Sequence, residues 1–279
     1  VIWKLRDREL DLSRRALVMG IVNVTPDSFS DGGAFLDPHS AYAHGLDLIG
    51  QGADILDIGG ESTRPSSEGV SAEEETRRVV PVIEALRLKT DALISIDTSK
   101  ASVARAALDA GANILNDVTG LRGDPDMLPL AAESRAGVVI MHMQGTPRTM
   151  QAAPHYDDVV AEVGEFFRQS LERAVACGLD PMSIALDPGI GFGKTPEHNR
   201  ALLAGLESFA PLGRPILVGV SRKSFLGHLA GSAKMEDRFW PGVALTSLCR
   251  ELGARLFRVH EPKPHREALR MTEAILGDV

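Results

Sequence analysis

Cysteine is scarce: Cys177 and Cys249 are the two in 279 residues. They are far apart and neither sits in a CxxC pair, so no disulfide framework or cysteine zinc site is expected, and a reducing cytoplasm fits. Long apolar runs are missing too. None reaches the length of a membrane span, and the opening stretch "VIWKLRDREL" is too charged for the apolar part of a signal peptide. Positive charge is short: 30 Lys and Arg face 38 Asp and Glu, a formal net charge of −8. That argues against a nucleic-acid partner, whose phosphates want a basic face. It leaves room for an anionic small molecule wherever a few Arg and Lys converge. No low-complexity tract, charge block or Pro/Gly/Ser-rich linker divides the chain, so residues 1–279 read as one domain.

What the sequence does contain is a recurring unit: a short β-branched apolar run, a polar or Gly-rich stretch, then a helical pattern. The apolar runs are "LVMGIVN" (17–23), "DILDIG" (54–59), "ALISIDT" (92–98), "NILNDV" (113–118), "GVVIMHM" (137–143), "SIALD" (183–187), "PILVGVS" (215–221) and "RLFRVH" (255–260). Several are apolar almost throughout, as strands buried on both faces of a parallel sheet must be. Between them, Ser71 with Glu74 three residues on has the form of a capping box, and Pro81 should kink or interrupt the helix that follows. The pattern from Tyr156 stops at Gly178, and "DRFWPGVALTSLCRELGA" and "HREALRMTEAILG" also have helical periodicity. Eight strands alternating with helices predict a (β/α)8 TIM barrel, with a doubly wound open sheet as the competing arrangement.

The apolar runs end in residues with chemical potential: Asn23, Asp57, Asp97, Asn116 with Asp117, His142, Asp187, Ser221 to Lys223, and Arg258 with His260. In a barrel those ends share one mouth, where active sites lie. Asx residues at strand ends also start turns and cap helices, which explains some of the series but not its Arg, Lys and His. After "SIALD", the stretch "DPGIGFGKT" invites comparison with a phosphate-binding P-loop, which requires G-x-x-x-x-G-K-[ST]. Counting back from Gly193-Lys194-Thr195, the first glycine should stand at 188, which is Pro188. The spacing fails by one residue, so the three glycines read instead as a turn that brings backbone close to a ligand, with Asp187 aimed into the mouth.

The same stretch resembles the signature of the dihydropteroate synthase family, and others agree in order: "MGIVNVTPDSFSDGG" (19–33), "DIGGESTRPSS" (57–67), "SIDTSK", "NDVTGL", "VIMHMQGTP" and "GVSRKSFLG". The resemblance runs from about Leu17 to about His260. It implies a transferase of folate biosynthesis that joins 6-hydroxymethyl-7,8-dihydropterin pyrophosphate to p-aminobenzoate, releasing pyrophosphate and 7,8-dihydropteroate, and that sulfonamides inhibit. It implies Asp187, Asn116, Asp97 and Lys223 as pterin contacts, and Arg258 and His260 on the diphosphate. Thr63, Arg64 and Phe192, with Phe29, Pro65 and Ser224, would form the p-aminobenzoate slot. Asp97, Lys223 and Arg258 would carry the catalytic roles, Asn23 would contact Mg2+, and the protein would be a homodimer. A Mg2+ ion taking a single amide suits its preference for water and phosphate oxygens.

Each residue has a plainer reading. Asn23 could be a turn residue, Asp97 an N-cap, Arg258 and its neighbours an ordinary salt bridge at the barrel end, and His142 a hydrogen-bonded core group. Asp57 and Asp117 look structural. After His260 the stretch "EPKPHREAL" departs from the family, leaving the start of the last helix open, and "FWPG" (239–242) reads as rim or interface packing. Two rivals remain: a pterin barrel that moves a methyl group to a corrinoid protein, which needs no diphosphate clamp, and a paralogue that binds pterin without turnover.

Overall fold

The computed structural model describes residues 1–25, 38–62, 69–232 and 234–278. An antiparallel hairpin opens the chain, β1 (Ile2–Lys4) with β2 (Glu9–Asp11). Eight parallel strands then close into a barrel: β3 (Leu17–Asn23), β4 (Ile55–Gly59), β5 (Leu93–Asp97), β6 (Ile114–Asp117), β7 (Gly137–Met141), β8 (Ile184–Asp187), β9 (Ile216–Val218) and β10 (Ala254–Val259). Closure comes from β10, which pairs with both β9 and β3. All eight predicted runs form strands. The helices between them are α1 (Pro38–Gly50), α2 (Ala72–Arg87), α3 (Ala101–Asp109), α4 (Met127–Ser134), α5 (Val159–Ala176), α6 (Pro196–Ala204), α7 (Ser224–Ala230) and α8 (Phe239–Glu251), with α9 (Pro262–Leu276) last. The closed order rules out the open sheet.

Strand alternation decides what fills the barrel, because side chains two apart share a face. Leu17, Met19, Ile55, Leu93, Ile114, Val139, Ala185, Leu217 and Leu256 form one buried cluster in the lower barrel. Their sequence neighbours Val18, Leu56, Ile94, Leu115, Val138, Ile184, Val218 and Phe257 belong to a second cluster with residues of the surrounding helices. Two residues further along, the inward series turns polar: Asp57 after Ile55, Asn116 after Ile114, Asp187 after Ala185, Arg258 after Leu256. The lower barrel is therefore sealed with hydrocarbon, and the upper barrel holds charge.

The hairpin plugs the lower end. Trp3 is fully buried in the lower cluster with Leu5 and Leu12, and its indole Nε1 donates to Ser183 O at 2.7 Å. The plug leaves no space for a side chain at residue 137, where a Cβ would stand 2.3 Å from Leu5 Cδ2. The last helix is fastened to the same end. Glu273 Oε1 accepts from Ala16 N at 2.6 Å and from Arg250 Nε at 3.0 Å, and Arg266 pairs with Asp54.

Three local expectations change. The helix α2 runs uninterrupted through Pro81, which is exposed, so water can satisfy the carbonyl that proline leaves unbonded. Ser71 caps it by accepting from Glu74 N, but the Glu74 side chain pairs with Arg77 and Arg78, so half of the capping box is made. Pro262 is the first residue of α9, a position where its fixed φ suits the helix and no N–H is needed. The departure after His260 thus marks a helix start, and Glu261 pairs with Arg222 across the rim.

Candidate active site

Arg258 organises the upper barrel. From β10 its guanidinium crosses to two carboxylates: Nε donates to Asp57 Oδ2 at 2.6 Å, and Nη2 donates to Asp97 Oδ2 at 2.8 Å. Asp57 is fully buried and also accepts from Asn116 Nδ2 at 3.1 and 3.3 Å. A lateral row sits above: Asn23 lies opposite Gly59, Gly59 opposite Asp97, and Asp97 opposite Asn116. Gly59 has no side chain, and a Cβ there would stand 3.5 Å from Asp97 Cβ.

These residues divide their polar atoms between the protein and the mouth. Arg258 uses two of its five N–H groups among the described residues, so Nη1 remains available. Among the described residues, Asn116 donates through Nδ2 and keeps Oδ1 unbonded, while Asp97 keeps Oδ1. Asp187 accepts from Gly189 N through Oδ1 at 2.7 Å and keeps Oδ2. The Asn23 amide has no hydrogen-bond partner among the described residues. Arg258, Asn116, Asp97 and Asp187 are each oriented by one end and open at the other, as a site that holds ligands in a fixed pose requires.

Electrostatics follow from the crowding. Burial works against the Arg258 charge, but Asp57 and Asp97 outweigh it and hold the guanidinium above its ordinary range. Burial pushes Asp97 well above the usual carboxylate range, against the pull of Arg258 and with a further push from Asp57. Asp187 is also raised by burial, while the Gly189 N–H and Lys223 oppose the rise. Burial, then the Arg258 charge, brings Lys223 down to about 8. Its Nζ lies 4.2 Å from the centre of the Phe192 ring, a cation–π contact.

The glycine turn is not a phosphate cradle. Gly189 has φ +68°, and a Cβ there would fall 1.9 Å from His142 O, so the turn is pressed against the end of β7. Lys194 points inward, 3% exposed, and bonds His142 and Phe192. Thr195 caps α6 by accepting from His198 N, with Pro196 as the first helical residue. Neither member of the Lys-Thr pair is free for a nucleotide. The turn presents Phe192, whose ring packs against Val118, Met141, Met143 and Met150.

The strand-end residues thus meet in the upper barrel: Asn23, Asp97, Asn116, Asp187, Lys223 and Arg258. Asp97 is no helix cap, since Asp124 accepts from Ala101 N at the start of α3. Arg258 and His260 reach different neighbours, for Ser221 Oγ lies 3.0 Å from His260 Nδ1 on the β9 side. Arg222, in the strand-end stretch Ser221 to Lys223, pairs with Glu261. Ser224 is the exposed first residue of α7. His142 is a core group, buried and edge-on to Phe166 at 4.9 Å. Asp117 is structural, accepting from Thr119 N and Leu121 N in the turn after β6. Asp57 is more than structural, because it orients both Arg258 and Asn116. Its phase on β4, two after inward Ile55, was the available signal. Thr63, Arg64, Pro65 and Phe29 lie outside the described residues.

Known proteins share this fold. The pterin binding enzyme family matches residues 19–260. The dihydropteroate synthase of Escherichia coli K12 is 47% identical over 268 residues, covering 96% of this chain and 94% of that protein. The Xanthomonas albilineans dihydropteroate synthase, solved with 4-aminobenzoic acid, superposes with a TM-score of 0.92 at 47% identity over 99% of both chains. The Yersinia pestis enzyme, solved in a sulfonamide drug complex, superposes with a TM-score of 0.92 at 44% identity, covering 99% of this chain and all of that one. The chain belongs to the pterin-binding enzyme family and, within it, to the dihydropteroate synthases.

Proposed function

We infer that this chain, as one barrel domain, condenses 6-hydroxymethyl-7,8-dihydropterin pyrophosphate with p-aminobenzoate, releasing pyrophosphate and 7,8-dihydropteroate. The observation that carries the residue assignments is the half-used polar layer: Asp187, Asn116, Asp97 and Arg258 each spend one end on the protein and leave the other toward the mouth. The open Asp187 oxygen and the Asn116 carbonyl accept N–H groups of the pterin, and Lys223 donates to its acceptor atoms. Nη1 of Arg258 takes a diphosphate oxygen, with His260 beside it. Asp97 faces the methylene carbon as its bond to the diphosphate oxygen loosens and positive charge grows there. The p-aminobenzoate amine then forms the new C–N bond, and loses a proton. Phe192, Thr63 and Arg64 belong to its slot.

Mg2+ fits this donor set. Among the described residues no group of three His, Cys, Asp or Glu side chains could hold a metal. The unbonded Asn23 amide suits an ion whose remaining ligands are water and diphosphate oxygens. The charge balance favours it too, because Arg258 is already neutralised by Asp57 and Asp97. The ion would offset leaving-group charge that those side chains do not.

We also assign the protein to the cytoplasm, where both cysteines stay reduced, and to a homodimer. The dimer reading rests on α8 and α9, where Leu248, Met271, Ile275 and Leu276 are 45%, 65%, 78% and 44% exposed. Pyrophosphate release from the pterin diphosphate should require both Mg2+ and p-aminobenzoate and should yield dihydropteroate. Release without either, or binding without release, would overturn the assignment.

A further inference from the structure

Lys194 is a buried amine that the reaction above does not use. Its Nζ lies 2.9 Å from Phe192 O, 3.3 Å from His142 O and 3.0 Å from His142 Nδ1. In the ammonium form its three hydrogens meet three acceptors. The match requires a neutral imidazole with Nδ1 unprotonated. Burial, aided by the charges of Lys194 and Arg122, brings His142 down to about 3 and so keeps the ring neutral, and the contact with Lys194 selects the tautomer with its proton on Nε2.

Such an amine is costly to bury, and burial brings Lys194 down to about 7. Its neighbours in the β8–α6 turn are tied by cheaper groups. Gln151 Nε2 donates to Gly191 O and the Tyr156 hydroxyl to Gly193 O, both at 2.9 Å, while Asn199 Oδ1 accepts from Gly191 N at 2.7 Å. What Lys194 adds is a tie to the carbonyl of Phe192 itself, the residue whose ring stands against Lys223. The opposite end of that tie is the end of β7, the strand that also supplies Met141 to the wall behind the ring.

We propose that Lys194 is a positioning residue for the arylamine substrate: by joining Phe192 O to the two acceptors of His142, it fixes the Phe192 ring and so sets the affinity of that slot without touching either substrate. The inference rests on the function proposed above.

Steady-state kinetics of the full-length enzyme test it through a double-mutant cycle of Lys194→Met and Phe192→Ala. Alone, K194M should raise KM for p-aminobenzoate about tenfold, with kcat and the KM for the pterin diphosphate within about twofold. In the F192A background K194M should add nothing to KM for p-aminobenzoate. Equal penalties in both backgrounds, or a loss confined to kcat, would overturn the proposal. If K194M does not fold, Lys194→Gln serves: its amide reaches two acceptors and should give an intermediate KM, whereas an unchanged KM sinks the idea. Wild-type turnover is the separate control, since its failure would strike the function and not the role of Lys194.

Discussion

Arg258 is both held and available, and Asp57 is what makes that possible. With Asp57→Asn, Asp97 is the one carboxylate among the described residues still hydrogen-bonded to Arg258. Breaking a buried ion pair outright costs about 3–5 kcal/mol. With one partner kept, the loss should be nearer about 2 kcal/mol in urea unfolding. The kcat/KM for the pterin diphosphate should fall at least about tenfold, because the amide offers Arg258 and Asn116 one acceptor oxygen where the carboxylate offered two. Lys223 gives a second expectation. Its ammonium, brought down to about 8 by burial and Arg258, is lost as pH rises through that value, so kcat/KM for the pterin substrate should decline on an alkaline limb near pH 8. Stability moves the other way. The unfolded lysine, at 10.5, binds a proton that the folded one has shed, so its contribution to unfolding free energy rises between about 8 and 10.5. Lys223→Gln should remove both effects. The motif residues were legible because strand ends mark themselves in sequence. The role of Asp57 was missed, because "DILDIGG" offers two carboxylates and only strand phase tells them apart, and nothing in Gly193-Lys194-Thr195 shows that the lysine turns inward.

The turn between β8 and α6 shows how an element carries chemistry without containing much of it. It sets Asp187 through Gly189 N, presents Phe192, and starts a helix at Thr195. Thr195→Ala removes a cap that accepts from His198 N, and should cost about 1 kcal/mol by thermal unfolding with little change in kcat. Gly189→Ala should be far worse. Its Cβ would meet His142 O at 1.9 Å on a backbone of φ +68°, so the turn must move and release Asp187. Loss of pterin binding by calorimetry, in a protein whose circular dichroism is unchanged, is the expected result. Strand placement was readable from apolar runs because parallel strands are buried on both faces. The prolines were harder to read. Pro81 suggests interruption and Pro262 leaves a helix start open, yet one lies on an exposed helix face and the other begins a helix.

For the whole molecule, the apolar strip on α8 and α9 gives the dimer reading a direct check. Ile275→Glu with Leu248→Glu should shift sedimentation to the monomer and leave the barrel intact. Nothing in local sequence showed that the first dozen residues plug the barrel floor, because Trp3 and Leu5 meet Leu256 and Gly137 only after closure. The barrel seam has a consequence in time. β3 pairs with β10, joining Leu17 to Leu256, and α9 then binds the entrance to β3 through Glu273 and Ala16. Until some 240 further residues have been synthesised, the first barrel strand has one open edge. Contacts of such sequence separation form late and slowly. A chain still tethered to the ribosome therefore holds an unsealed, adhesive sheet, and the step that buries the floor is also the step that ends the exposure to aggregation.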